Sequence, residues 1–262
     1  MTRQATNDTL AHRVKEAFIR AAIWAFIGLL YAMLFIFFSA LSEYWQLPVD
    51  PQFLAGILAG TIGALIYSSM RLAVLMTVIV SPLSIFYFIL VDWPVDLVRL
   101  LLIVCLVGAV IGALYGVFSM GSRIYRADAK TLAGFCAGWI SSLVYLLSST
   151  LVGPVSLGTI VAVMCPLTGL LYVWMVPTFI KHYDNLLPPV ADGLLVGVGV
   201  SGFVALTFFV MIASIDNSVA GPMLPVIDKM QGNLAPAVLG GVIGGGLAGA
   251  VSGLLVTGWQ DL

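Results

Sequence analysis

The sequence alternates between long apolar runs and short polar breaks, and this pattern strongly limits what the chain can fold into. A helix that crosses the hydrocarbon core of a bilayer needs about 20 mainly apolar residues. Eight runs near this length follow one another: 21–41, 53–70, 72–91, 97–120, 131–150, 156–180, 193–214 and 236–258. The pattern predicts an all-α, polytopic transmembrane helical bundle of about eight helices.

The scarcity of charge supports the same interpretation. Of the 262 residues, 61% are apolar and 9% are charged, whereas a soluble domain has about 25% charged residues. So few charges cannot cover a water-facing surface of this size, so the surrounding medium is predicted to be lipid. The net charge of −1 gives no electrostatic reason to expect nucleic acid as a partner.

We predict three parts along the chain: a lead at 1–20, a single bundle at 21–258 and a cytoplasmic tail at 259–262. In the lead, Leu10, Val14 and Phe18 recur every four residues among basic side chains. This spacing fits a short amphipathic helix on the inner leaflet, or equally a water-exposed extension of the first helix. The first apolar run is too long for a cleavable signal and is interpreted as a retained anchor.

Basic residues predict the orientation, because cytoplasmic loops carry an excess of Lys and Arg. With the N-terminus inside, only Arg99 and Lys229 fall outside. The other nine basic residues then face the cytoplasm: Arg3, Arg13, Lys15, Arg20, Arg71, Arg123, Arg126, Lys130 and Lys181. We therefore expect both termini to be cytoplasmic, in the cytoplasmic (inner) membrane of a bacterium.

Glycines at intervals of four mark three of the runs. Small residues at this spacing let helix backbones approach closely in lipid. The predicted packing residues are Gly56, Gly60 and Gly63 in the second run, Gly108, Gly112 and Gly116 in the fourth, and Gly240, Gly244, Gly249 and Gly253 in the eighth. We expect these three helices to form the tight centre of the bundle or a face that meets another subunit.

Short similar strings around these glycines suggest a duplication. Residues 108–112 read GAVIG and residues 240–244 read GGVIG. The duplicated piece could be a helical hairpin, or a set of four helices that gives two halves of the same orientation, 21–128 and 129–258. The alternative is that glycine-rich apolar strings match by chance.

The runs contain little that could carry chemistry. Arg99 is near the outer end of its run, and an ion pair with Asp96, three residues earlier, accounts for it. Nucleotide-binding, metalloprotease and paired-cysteine motifs are missing from the sequence. We therefore predict no catalytic residues, no metal, no cofactor and no enzymatic activity.

Two features are candidates for binding. The sixth run contains Cys165, Pro166, Thr168 and Gly169 near its middle. A proline there removes a backbone donor, so a break in the helix could line a substrate cavity, to which Thr159 would add a hydroxyl. The alternative is a proline kink satisfied by neighbouring helices.

The second candidate is the outer segment 215–235, predicted to be the longest loop between spans. Its polar residues Asp216, Asn217, Asp228 and Lys229 would make outer contacts. The alternative is that this segment is a plain connector.

Three functions remain open. The leading hypothesis is a non-catalytic membrane subunit that scaffolds, anchors or assembles a larger complex. Its partners would be lipids and other membrane subunits, or a second copy of the chain, bound through the glycine-lined helices. The alternatives are a permease or channel for a neutral or weakly polar small solute, and an intramembrane enzyme acting on lipid.

The orientation can be tested by labelling with a membrane-impermeant amine reagent on sealed cells. Because Lys229 is predicted to lie outside and Lys130 and Lys181 inside, only Lys229 should react. Peptide mass spectrometry identifies the modified lysines, and permeabilised cells provide the control. Labelling of Lys130 or Lys181 in sealed cells would contradict the orientation.

Overall fold

Eight α-helices make up most of the part of the protein that the structure describes. The structure is a computed structural model that describes residues 2–91, 95–118, 126–153, 155–183 and 186–255. The helices are α1 (Thr2–Tyr44), α2 (Pro51–Ser68), α3 (Met70–Leu90), α4 (Leu97–Phe118), α5 (Ala127–Val152), α6 (Leu157–Tyr183), α7 (Pro189–Ile215) and α8 (Leu224–Leu255). The described ranges contain no strand, so the predicted all-α class is confirmed.

The helices have the length and composition of membrane spans. All eight are long and apolar enough to cross a bilayer. On α4 the buried face consists of Leu100, Val104 and the three predicted packing glycines. Its exposed face is equally apolar, with Leu102, Leu106, Val110 and Leu114. A helix that is apolar on both faces belongs in lipid, so the chain is an integral membrane protein.

The first helix begins much earlier than its apolar run. The predicted span starts at residue 21, but α1 is continuous from Thr2. Polar residues in 2–20 therefore extend the spanning helix. Arg20, predicted to be at the cytoplasmic surface, is buried, and its Nη1 donates to the Ser252 carbonyl at 3.4 Å. The Arg20 guanidinium of α1 thus lies at the C-terminal end of α8, where a cation satisfies a carbonyl and is favoured by the negative end of the helix dipole.

The eighth helix also begins earlier than predicted. Residues 224–235, predicted as part of a loop, form the first turns of α8, and Pro236 lies inside the helix. Two short 3-10 helices, Asn217–Val219 and Gly221–Met223, occupy most of the remaining connection. The long outer loop was therefore a wrong prediction. Val226 and Ile227 are buried, which accounts for helix where Pro and Gly favoured a loop.

The chain forms two compact units that interleave along the sequence. Unit 1 comprises Met1–Gly63, Ala133–Thr178 and Gly232–Leu262, and unit 2 comprises Ala64–Leu132 and Phe179–Gln231. Each unit therefore draws on both of the predicted halves, 21–128 and 129–258. The tail at 259–262 lies outside the described residues, as do Arg123 of the basic loop and Met1 of the lead.

Within unit 1, glycines bring α2 close to α5 and α8 close to α6. A side chain at Gly56 or Gly60 of α2 would meet α5, at Ser142 and at Gly138 respectively. Gly240 and Gly244 of α8 lie against α6, the latter beside the Pro166 ring. No described atom lies within 4 Å of the Cβ position of Gly63.

The same helix α8 also meets α1 in unit 1. A Cβ at Gly249 would lie 2.5 Å from the Arg20 carbonyl oxygen, and one at Gly253 would lie 2.5 Å from the Ala17 Cα. One face of α8 thus fits α6 and another fits α1. Two neighbours of this kind explain why glycines in this helix outnumber a single row at every fourth position.

Within unit 2, α4 and α7 cross through glycines on both helices. A methyl group on Gly112 would overlap the Gly193 carbonyl, and one on Gly193 would overlap the Gly112 carbonyl. A Cβ at Gly108 would lie 2.5 Å from the Gly197 carbonyl oxygen, and one at Gly116 would lie 2.5 Å from the Pro189 carbonyl oxygen. These glycines therefore set the distance between the two helices.

The contacts give each glycine-rich helix different neighbours. Gly56 and Gly60 of α2 meet α5, the predicted packing glycines of α8 meet α1 and α6, and those of α4 meet α7, whereas Gly63 of α2 has open space beside it. All of these contacts lie inside one unit or the other. A partner subunit would therefore need a surface other than these contacting glycines, and binding to such a subunit stays a prediction.

We expect Gly112→Ala to destabilise the fold by about 1 to 3 kcal/mol, because the added methyl overlaps backbone that cannot rotate away. Gly63→Ala is the matched control. The space at Gly63 is open, so alanine should be neutral or stabilise by up to about 1 kcal/mol through its helix propensity. Thermal unfolding in detergent measures both variants. Equal melting temperatures for the two variants would contradict the close α4–α7 crossing.

Candidate functional site: a groove between α5 and α6

A groove of about 210 Å³ lies in unit 1 between α5 and α6. From α5 it is lined by Ser141, Val144, Tyr145, Ser148 and Ser149, and from α6 by Thr159, Ile160, Val163, Met164 and Leu167. Both sets recur at intervals of three and four residues, as expected for one face of each helix. Val155, in the connection between the helices, closes one end.

The inner end of the groove is anchored by a buried pair of hydroxyls. Ser141 Oγ lies 2.6 Å from Thr168 Oγ1, and both residues are buried. Ser141 Oγ also lies in position to donate to the Gly138 carbonyl at 3.0 Å, and either hydroxyl of the pair can donate to the other. At least one lone pair of the Ser141 oxygen remains for a further hydrogen bond.

The wall of the groove is otherwise apolar, apart from a few hydroxyls that donate to carbonyls of their own helix. Ser148 and Ser149 donate to the carbonyls of Tyr145 and Leu146, each at 2.9 Å. Their oxygens keep lone pairs that can accept a hydrogen bond from a ligand. Val144 and Val163 are exposed beside the groove. The groove therefore suits a molecule that is mainly apolar and carries an uncharged polar group.

Three of the four residues predicted to form a cavity lie on other faces of α6. The Cys165 thiol is 3.7 Å from the Gly241 carbonyl of α8. The Pro166 ring lies against Gly244 of α8, and a side chain at Gly169 would meet the Trp24 ring of α1. Only Thr168, through Ser141, reaches the groove. Helix α6 continues through Pro166, in line with the alternative of a proline accommodated by its neighbours.

Thr159, predicted to supply a hydroxyl, does line the groove. The α5 residues were missed, although Ser141, Tyr145 and Ser148 form a hydroxyl-bearing row at helical spacing. That row was the available signal in the sequence. The sequence does not tell which helix packs against this row. The same spacing also fits a helix face whose hydroxyls bond only to carbonyls of their own helix.

The Tyr31 side chain of α1 carries another buried hydroxyl. The Tyr31 phenol is near Thr168 and Cys165, and among the described residues neither its hydroxyl nor the buried Ser142 Oγ has a hydrogen-bond partner. Unit 1 thus concentrates uncharged polar groups behind the groove, at α1, α5 and α6.

In unit 2, the only buried carboxylates among the described residues are Asp128 and Asp192. Asp192, predicted as an end marker of the seventh span, is in the first turn of α7. Its two carboxylate oxygens accept from the backbone N–H groups of Ala127, at 3.2 Å, and Asp128, at 3.0 Å. Asp192 therefore caps the N-terminus of α5 from another helix.

Asp96 has a similar role at the start of α4. Its Oδ1 accepts from the backbone N–H of Val98 at 3.0 Å and of Arg99 at 3.2 Å. The carboxylate thus bonds with the backbone of Arg99 instead of its side chain. The predicted ion pair is replaced by a helix N-cap, which satisfies otherwise unpaired amide groups.

The outer residues predicted to make contacts all lie in unit 2. Asp216 caps the first 3-10 helix by accepting from the Ser218 hydroxyl at 2.7 Å and its backbone N–H at 3.0 Å. These hydrogen bonds hold the pKa of the Asp216 carboxyl below its usual range. Asn217 and Asp228 are exposed, and Lys229 is half-buried in α8. A contact role for these residues stays a prediction.

Comparison with known protein families, curated proteins and solved structures finds no match for this chain. In the described part of the chain, His, Cys, Asp and Glu nowhere gather in a group of three that could hold a metal ion.

Substituting Asp192 by alanine should destabilise unit 2 by about 1 to 3 kcal/mol, because two backbone donors at the start of α5 lose their acceptor in a buried site. Asp216→Ala is the control, since that carboxylate is an exposed cap of a short turn and should cost about 1 kcal/mol or less. Thermal unfolding compares the two. A larger loss of stability for Asp216→Ala than for Asp192→Ala would contradict the Asp192 contacts.

Proposed function

We propose that this protein is a permease for small, neutral, weakly polar molecules, which it binds in the groove between α5 and α6. The groove carries the proposal, since it combines an apolar wall with hydroxyls and ends at the buried Ser141–Thr168 pair. A ligand site of this kind is a concave, mostly apolar surface with a few polar groups that fix orientation.

The size of the groove limits the ligand. An apolar cavity of about 150 Å³ holds benzene, so a groove of about 210 Å³ suits a molecule slightly larger than benzene. A charged molecule is disfavoured because no side chain lining the groove carries a full charge at neutral pH to offset its desolvation. Mainly apolar alcohols and amides, slightly larger than benzene, are therefore the proposed substrate class.

The scaffolding hypothesis stays a prediction, and the glycine contacts count against its proposed surface. The predicted docking glycines on α4 and α8 are covered by α7, α1 and α6 of the same chain. A location in the bacterial cytoplasmic membrane is also proposed. It is supported by nine basic residues against two across the predicted topology.

Transport by the purified protein tests the proposal. The full chain, reconstituted alone into liposomes, should carry mainly apolar alcohols or amides of this size faster than empty liposomes, measured by light scattering after an osmotic jump. Charged solutes of similar size should not be accelerated. Absence of flux for every neutral solute, with fixed membrane proteins copurifying in mild detergent, would support the scaffold instead.

A bulky residue in the groove should block this transport. We expect Val144→Trp to lower the flux about tenfold or more, since losing only about 1.4 kcal/mol of binding gives this factor. Leu147→Trp is the matched control. Both residues are on α5 and exposed, at 46% and 68%, but only Val144 lines the groove. Equal flux through the two variants would exclude the groove as the route.

A further inference from the structure

We infer that the groove between α5 and α6 exchanges its ligand with the hydrocarbon of the membrane, through an opening on its side, instead of with water. This inference rests on the proposed function and narrows it, because the substrates are then molecules that dissolve in one leaflet of the bilayer. Three features support it: the depth of the groove, the exposure of its rim and the apolar surfaces beside the opening.

The groove reaches from the membrane surface to the middle of the bilayer. Helix α5 ends at Val152 and α6 begins at Leu157, and the ends of spanning helices lie at the surface, where water satisfies the backbone. Ser141 lies eleven residues before the end of α5, and Thr168 lies eleven residues after the start of α6. At about 1.5 Å per residue, each is about 16 Å from its helix end. The hydroxyl pair is therefore close to the midplane of a hydrocarbon core about 30 Å thick.

The side of the groove is open well below the surface. Ser141, Ile160 and Met164 form a buried floor. On the two walls, Val144 is 46% exposed and Val163 is 60% exposed. Val144 precedes the end of α5 by eight residues, and Val163 follows the start of α6 by six. These two rim residues are therefore about 12 Å and about 9 Å from the helix ends, at a depth that hydrocarbon occupies.

The helix surfaces beside the opening are suited to lipid. On α5, the neighbouring Leu147 and Leu151 are both exposed. On α6, Trp174 is exposed and lies eleven residues after Val163, which is about three turns and places both residues on one face. Trp174 is about 25 Å from Leu157 along the helix, near the opposite membrane interface, where tryptophan is enriched. The face of α6 that carries the rim is therefore a lipid-facing surface.

The Ser141–Thr168 pair favours binding from hydrocarbon. A hydroxyl or amide group of a ligand has no hydrogen-bond partner among lipid chains, so it gains a complete hydrogen bond when it reaches Ser141. From water it only exchanges one hydrogen bond for another, with a small net gain. The apolar wall adds little to binding from lipid, since lipid chains are equally apolar. The hydroxyl pair therefore selects molecules that carry such a group from the lipid around them.

Photolabelling of the full-length protein in liposomes tests the side opening without any substitution. A trifluoromethyl phenyl diazirine dissolves in the membrane, and light converts it into a carbene that inserts into nearby C–H bonds. We expect peptide mass spectrometry to find label on Val144, Val163 and Leu147. An excess of benzamide, a mainly apolar amide, should lower the label on the two valines of the groove but not on Leu147, which lies outside it.

A charged, water-soluble diazirine provides the opposite probe and should label neither Val144 nor Val163. Label from this reagent on either valine would overturn the inference, since the groove would then open to water. Equal labelling with and without benzamide would overturn it too, because the groove would not take up this ligand from the membrane.

Substitutions at the side and at the surface end of the groove separate the two routes. Val163 lies on the side rim, Val155 lies in the connection between the helices, and both line the groove. We expect Val163→Trp to lower the benzamide flux into liposomes about tenfold and Val155→Trp to lower it about twofold. An equal or larger loss for Val155→Trp would contradict the side opening and leave the proposed permease intact. If the unmodified protein carries no neutral solute, the proposed function fails, and photolabelling alone decides the inference.

Discussion

Contact between helix backbones at glycine is the constraint on which the structure depends. Inside a bilayer, helices gain little by hiding apolar surface from one another, so association relies on shape. At Gly112 and Gly193 each helix occupies the space that a methyl group of the other would need. These crossings fix how deeply α4 and α7 interlock, and comparable contacts hold α8 against α1 and α6 in the other unit.

The glycine contacts cover some helix faces and leave others open. Because the predicted packing glycines of α4 and α8 contact other helices of the same chain, they offer no ready surface to another subunit. The α5–α6 pair differs, since larger side chains there leave a groove beside Val144 and Val163. In the part of unit 1 that the structure describes, this opening combines an apolar wall with the buried Ser141–Thr168 hydroxyl pair.

Polar groups in the bundle fall into two physical classes. Thr61, Thr77 and Ser214 donate to carbonyls four residues earlier in their own helices, which satisfies them without fixing any neighbour. Ser141 and Asp192 instead bond across helices, so they define which elements meet. The sequence analysis identified Thr168 but not Ser141, and it interpreted Asp192 only as a marker of a helix end. The reason is that a side chain that bonds within its own helix and one that bonds across helices cannot be told apart in a sequence.

The sequence by itself determined the eight spans, because a bilayer imposes a length and an apolar composition that can be counted along the chain. It also marked the glycines as sites of close approach. Only the tertiary structure decided which helices those glycines meet, that α8 begins at Leu224, and which face of α6 lines the groove. Helix spacing states which residues share a face, whereas the neighbour of that face depends on contacts between segments far apart in the chain.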